Sequence, residues 1–179
     1  PAPTRQLINN YSEVTNEISE AIHLKDIHVV NEVVIDRGPS PYTVQLNVYI
    51  DGNMITQAIG DGLILATPTG STAYNLSAGG SIVQTSAHCI SMTPLAPHSL
   101  SFRPIILIKV PIFDREDKDE RGPAWVSLDG ANRFKLDDGE SIMVSGSPDL
   151  LSMVILRSDN LTDLWAQRLV KFFGWNTRE

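Results

Sequence analysis

The side chains best suited to chemistry gather in two short stretches. In "IHVVNEVVIDR" (27–37) an amide and a carboxylate, Asn31 and Glu32, interrupt an otherwise β-branched run. In "GDGLILATPTGSTAY" (60–74) the apolar residues 63–66 lead straight into Thr69, Ser71 and Thr72, separated by Gly70 and followed by Ala73 and Tyr74. A carboxylate beside a carboxamide can read vicinal sugar hydroxyls, because together they offer several acceptors and a donor. A row of hydroxyls and backbone N–H groups where a strand meets a helix can hold sugar hydroxyls, a base edge or a single phosphate. A triphosphate cradle of the Gly-x-x-x-x-Gly-Lys-Ser/Thr type needs a lysine. Here Gly70 is followed by Ser71 and the stretch has no cation, so a ribose or a purine is the better match. Composition alone slightly favours a plainer reading. The hydroxyls are then caps of a strand-to-helix connection, and of Asn31 and Glu32 one faces solvent and the other is hydrogen-bonded in a bulge, since neighbouring strand residues face opposite ways.

Several partners are excluded by the balance of residues. The chain has 179 residues with 42% hydrophobic and 20% charged, enough for one sizeable core and unlike a disordered segment. Its net charge of −7 is a poor electrostatic match for nucleic acid or an anionic membrane. One cysteine, Cys89, excludes an internal disulfide framework and fits a reducing compartment. The apolar stretch 105–110 is far too short to span a bilayer, and "PAPTRQLINN" lacks the apolar core of a signal peptide, so a cytoplasmic protein is expected. The histidines and Cys89 show no metal-ligand spacing, and no metal site is expected in the chain.

The elements that position these residues are mostly strands. Residues 7–22 place Leu7, Tyr11, Val14, Ile18 and Ala21 on one helical face. From residue 27 the period changes to that of strands. Asp51-Gly52 between two alternating runs signals a two-residue hairpin. The runs 63–66, 99–110, 124–130 and 150–157 read as strands, and 131–147 as a second hairpin turning at Asp138-Gly139. "NLSAGGSIV" (75–83) is a short helix broken by glycines, and the mixed charges of 114–121 form a loop. A closing helix spans "SDNLTDLWAQRLVKFFGW" (158–175), capped by Asp159 or Asn160 and ended at Gly174. The pattern predicts a mainly β, sandwich-like layer.

Taken in order, "NEVVIDRGPSPY" (31–42), "GDGLILATPTGSTAYNLSAGG" (60–80), "PHSLSFRPI" (97–105) and "AWVSLDG" (124–130) closely resemble the C-terminal half of the NAD kinases. These enzymes phosphorylate the 2′-hydroxyl of the adenosine ribose of NAD to give NADP. The likeness runs over residues 28–177, and "RGPSP" and "WNTRE" resemble the eukaryotic branch. It implies a mainly β fold, an NAD kinase-like C-terminal β-sandwich with a few helices, from which the α/β N-terminal domain is absent. It also implies a linker or helical segment over 1–27 and a substrate-binding domain over 28–179.

Residue by residue, the resemblance implies that Asn31 and Glu32 hydrogen-bond the ribose region of the dinucleotide. Thr69, Thr72, Ala73, Tyr74 and Ser77 are expected to line the adenosine pocket. Asp61 is expected to contact the dinucleotide, in family members often across a subunit contact, and Asp129-Gly130 to lie nearby. The family's Gly-Gly-Asp-Gly signature, whose aspartate is the expected general base, has no counterpart here, because Gly79-Gly80 is followed by Ser81-Ile82. The resemblance therefore implies no catalytic residue in this chain. It implies NAD or NADP and ATP as partners, Mg²⁺ with ATP in the complete enzyme, and a homodimer or homotetramer. The chain would be the substrate-binding and oligomerising half of a kinase, inactive by itself. A non-catalytic dinucleotide-binding or assembly module is the alternative. A lipid kinase of the diacylglycerol or sphingosine type, remotely related in fold, fits the hydroxyl-rich turn less well.

Overall fold

Two runs of alternating side chains on either side of Asp51-Gly52 pair as β4 (Val44–Ile50) and β5 (Asn53–Gly60), from Val44 opposite Gly60 to Ile50 opposite Asn53. Asp51 and Gly52 take φ of 52° and 74°, the positive values a two-residue hairpin turn requires. The computed structural model describes residues 5–6, 22–23, 27–108, 111–114, 123–137, 139–147 and 161–175. The chain divides into two units, Pro1–Gly146 and Ser147–Glu179.

The first unit holds two antiparallel sheets. The larger contains β3 (Glu32–Asp36), β6 (Gly62–Ala66), β7 (Ile90–Leu95), β8 (Ile105–Leu107), β10 (Ala124–Leu128) and β11 (Ala131–Leu136), in the order β11-β10-β3-β6-β7-β8. The smaller adds β9 (Pro111–Asp114) and β12 (Ser141–Met143) to the hairpin, in the order β12-β9-β4-β5. Residues from both sheets meet in one core: Val33, Ile35, Leu63, Leu65, Met92 and Val126 from the larger, and Leu46, Val48, Phe113 and Ile142 from the smaller. Burial of each such side chain contributes about 1.5–3 kcal/mol before entropy is counted, so this interlayer is what holds the sandwich together. A separate parallel pair, β1 (Arg5–Gln6) and β2 (Ile22–His23), joins Arg5 to Ile22 and Gln6 to His23.

Strand β6 explains why its sequence is apolar without alternation. Leu63 and Leu65 face the interlayer, while Ile64 and Ala66 join Val34 in a second cluster on the outer face, packed by Ala78 and Leu95. A strand covered on both faces has no side to spend on polar residues. The outer cover is the segment after β6, a 3₁₀ turn at Gly70–Thr72 and the short helix α1 (Tyr74–Ser77). Helical structure thus begins earlier than the 75–83 expectation and has ended by Gly79, whose φ is 81°.

Other expectations are revised. Residues 27–31 are not strand, and β3 begins at Glu32. The hairpin expected at Asp138-Gly139 does not form: β11 pairs with β10 and β12 with β9, so this segment carries the chain from one sheet to the other. Leu136 and Ile142 on either side of it are both buried in the interlayer, and Glu140 ties the bend by accepting the Asp137 N–H at 2.8 Å. The hairpin in this region is closed instead by Asp129-Gly130, with φ of 49° and 71°. Strand β7 lacks any sequence-based expectation.

In the second unit α2 (Leu161–Phe173) matches the expected closing helix. Gly174, at φ 60°, donates to the Val170 carbonyl at 2.9 Å and closes the last turn. Phe172, Phe173 and Trp175 form a local aromatic chain, with ring centroids 4.9 and 5.2 Å apart. The expected strand at 150–157, the cap at Asp159 or Asn160 and the helical stripe of residues 7–21 lie outside the described residues. So does nearly all of the charged loop at 114–121. Ile22, the last residue of the expected first helix, is in β2.

Candidate functional site

Backbone and side-chain contacts bring the two chemical stretches of the sequence together. Thr67 donates its N–H to the Asn31 carbonyl at 2.8 Å, and its Oγ1 donates to the Val30 carbonyl at 2.6 Å. The same Oγ1 accepts the Gly70 N–H at 3.0 Å. The Tyr74 N–H lies close enough to the Glu32 carboxylate to lower its pKa. Gly70 lies so close to residue 31 that a Cβ there would be 2.0 Å from the Asn31 carbonyl oxygen, a contact only glycine avoids.

The turn itself is held from below by Asn75, which is fully buried. Its Nδ2 donates to the carbonyls of Ser71 and Ser81, both at 3.1 Å. Its Oδ1 accepts from Ser91 Oγ at 3.3 Å and Thr93 Oγ1 at 2.6 Å. Those two hydroxyls sit on the outer face of β7, so one amide rivets the turn to the sheet. Gly80 passes so near that a Cβ would be 2.2 Å from Asn75 Oδ1. The Ser71 hydroxyl is used internally as well, donating to the Pro68 carbonyl at 2.6 Å and accepting the Val83 N–H at 2.9 Å.

What remains open is a shelf of uncharged groups. Thr69, Thr72 and Ser77 are exposed, Ala73 is half-buried, and the Tyr74 ring is 47% exposed. Beside this shelf Glu32 is only 7% exposed, and no donor among the described residues reaches its Oε2. A buried carboxylate oxygen without a donor costs free energy, and such an atom calls for a ligand or water. Burial raises the Glu32 pKa above the usual carboxylate range, the nearby Asp129 charge adds to this, and the Tyr74 N–H partly offsets it. Asp129 moves the other way: desolvation pulls it up, but N–H groups of Val30, Glu32 and Asn31 outweigh that and hold it low.

Asp61 is not part of this cluster. It sits just before the other end of β6, roughly 16 Å away at the usual rise per strand residue. There its carboxylate accepts Arg37 Nε at 2.7 Å, and its carbonyl accepts the Arg37 N–H at 3.0 Å. A cleft of about 430 Å³ lined by Ile55, Gln57, His98, Phe102 and Arg103 involves none of the residues around Glu32.

Sequence reasoning passed over Asn75 and Thr67. Both had a readable signal: a polar residue directly after the turn, facing a Ser-x-Thr alternation at 91–93, and a threonine at the mouth of a buried strand. Among the described residues no three His, Cys, Asp or Glu side chains gather into a group able to hold a metal ion. The Asp129 oxygens next to Glu32 are already taken by N–H groups, so the described residues do not fit Mg²⁺. No helix among them is long and apolar enough to cross a membrane.

Comparison with known proteins bears on this arrangement. Residues 30–156 match the family model of the ATP-NAD kinase C-terminal domain. The NAD(+) kinase of Saccharomyces cerevisiae is 45% identical over 153 residues, which is 85% of this chain and 28% of that protein. The ATP-NADH kinase YEF1 of the same yeast is 42% identical over 161 residues, covering 87% of this chain and 31% of that protein. The chain thus spans less than a third of these two relatives. Among solved structures, yeast NADH kinase complexed with NADH superposes with a TM-score of 0.73 at 35% identity, over 85% of this chain and 46% of that one. An NAD kinase from Archaeoglobus fulgidus in complex with ATP gives 0.60 at 25% identity, over 70% of this chain and 48% of that one. The buried Glu32–Tyr74 junction falls inside the matched segment, and by that match the chain belongs to the family of ATP-NAD kinase C-terminal domains.

Proposed function

We propose that this chain is the dinucleotide-binding and oligomerising half of an NAD kinase, which transfers a phosphoryl group from ATP to the 2′-hydroxyl of the adenosine ribose of NAD. One observation carries the reading. Glu32 keeps a buried oxygen that no donor among the described residues reaches, beside a turn of neutral hydroxyls whose own sequence holds no cation, which suits a nucleoside hydroxyl and suits a triphosphate poorly. In this reading Glu32 accepts a ribose hydroxyl and Asn31 supplies the amide beside it. Thr69, Thr72, Ala73, Tyr74 and Ser77 seat the adenosine, with the exposed Tyr74 ring as an apolar surface for the base. Asp61 would meet a more distant part of the dinucleotide, in the complete assembly.

The chemistry follows from positioning. Phosphoryl transfer gains most from holding the acceptor hydroxyl in line and from neutralising charge that develops on the phosphoryl oxygens. Glu32 and its neighbours do the first. ATP with Mg²⁺, and the base that removes the hydroxyl proton, belong to parts of the enzyme other than the described residues. In the isolated chain, turnover is expected to be absent.

The test is NADP formation by the intact protein from NAD and Mg-ATP, read through an NADP-dependent dehydrogenase. Turnover with a KM for NAD raised about tenfold by Glu32→Gln supports the reading. Binding of NAD without any turnover by the intact protein would favour a non-catalytic dinucleotide-binding module. Turnover with an unchanged KM in the Glu32 variant would contradict the placement of the ribose.

A further inference from the structure

Asp129 opens the β10–β11 turn, and its carboxylate points back across the sheet to the entrance of β3. Oδ2 accepts the Val30 N–H at 2.7 Å, and Oδ1 accepts the N–H groups of Asn31 at 2.7 Å and Glu32 at 2.9 Å. The Asp129 N–H returns to the Glu32 carbonyl at 3.0 Å. Three successive N–H groups converging on one anion cannot also belong to a strand ladder, whose donors alternate sides. They form a concavity of the kind that binds anions, filled here by a side chain of the same protein. This is why the chain is not yet strand at residues 30 and 31.

We propose that Asp129 is the positioning residue of the Asn31–Glu32 pair: its carboxylate fixes the bend at residues 30–32 that carries Glu32 onto the Tyr74 N–H and leaves Glu32 Oε2 open. The proposal rests on the dinucleotide reading of the site. Three backbone donors already fill most of the acceptor capacity of Asp129, which favours a supporting role over ligand contact. Stability alone does not account for the arrangement. A second carboxylate beside the buried Glu32 makes ionisation of Glu32 harder, a local cost of the kind folds retain at functional sites. Asp129 at φ 49° and Gly130 at φ 71° form the two-residue turn from which this side chain reaches back to residues 30–32.

Two variants of the intact protein test it. Asp129→Gly keeps the turn, since glycine accepts positive φ, but empties the concavity. NAD binding is expected to weaken roughly 10- to 100-fold, the range for losing hydrogen bonds to a charged group. Added formate should restore part of the affinity by refilling the concavity, and chloride at equal ionic strength should not. Asp129→Asn keeps the shape and removes the charge. The charged group that bears on Glu32 is Asp129, opposed by the Tyr74 N–H, so the Glu32 carboxyl followed by carbon NMR should titrate at lower pH in this variant. Wild-type NAD affinity in Asp129→Gly overturns the proposal, as does an unmoved Glu32 titration in Asp129→Asn. If the unaltered protein binds no NAD, the dinucleotide reading fails, and the Glu32 titration alone then decides whether Asp129 sets the pair.

Discussion

Replacing Asn75 by alanine removes one buried amide and four hydrogen bonds. The partners left behind are the carbonyls of Ser71 and Ser81 and the hydroxyls of Ser91 and Thr93, and the two hydroxyls are buried as completely as the amide was. At about 1 kcal/mol net for each bond, the loss comes to about 4 kcal/mol. That is a large share of the 5–15 kcal/mol typical of a domain. The turn over β6 loses its rivet at the same time, so NAD affinity should fall together with stability. Asn75→Asp is the informative companion. It matches the amide in size but replaces the Nδ2 donor with a second acceptor facing two carbonyls, so it should destabilise at least as much as alanine. Urea unfolding of the intact protein measures both, with unchanged m-values confirming that the denatured state is not the source. An alanine variant within about 1 kcal/mol of wild type, with unaltered NAD binding, would refute the reasoning.

Gly70→Ala should cost about 3 kcal/mol, because its Cβ would lie 2.0 Å from the Asn31 carbonyl oxygen and both groups are backbone; the urea midpoint checks it. Glu32 gives a pH signature. Its folded pKa is raised, so the native state binds the proton more tightly than the unfolded chain, and stability falls as pH climbs from the ordinary carboxylate value through the raised one. Glu32→Gln lacks that loss, so it should be the more stable protein at neutral pH, with the difference closing in acid; urea midpoints across that range measure it. Arg37→Ala should shift stability by less than about 1 kcal/mol despite the 2.7 Å contact with Asp61, since the two side chains are 36% and 47% exposed, and thermal unfolding reads this directly.

Sequence reasoning found the parts of this fold where local chemistry and tertiary context agree. Asp51-Gly52 sits between runs that alternate cleanly, and its hairpin forms as read. Asp138-Gly139 carries the same turn chemistry but joins strands that belong to different sheets, and only the burial of Leu136 and Ile142 in one core distinguishes the two cases. Strand β7 was hidden by Pro94, which normally argues against a central strand. Here Ser91, Met92 and Thr93 still alternate between the faces of the sheet, and Pro94 lies opposite Leu63. Asn31, Glu32 and the hydroxyls at 69, 71 and 72 stood out by type and spacing as candidates, and the wider set through Ser77 came from the resemblance to the NAD kinases. That Glu32 and Tyr74 are adjacent, while Asp61 lies at the far end of the same strand, depends on the register of β3 against β6. No linear pattern carries that register. Asp129 acts through backbone groups, and backbone partners leave no trace in residue spacing.

The most direct test of the account is the affinity for NAD, measured by titration calorimetry on the intact protein and on Glu32→Gln at neutral pH. With the Tyr74 N–H still claiming one acceptor, glutamine would present its amide donor where the free carboxylate oxygen stood. Binding about tenfold weaker or worse, with folding intact, is the predicted result. Equal affinity in the two proteins would mean that no ribose hydroxyl rests on Glu32, and the placement of the dinucleotide would have to be abandoned.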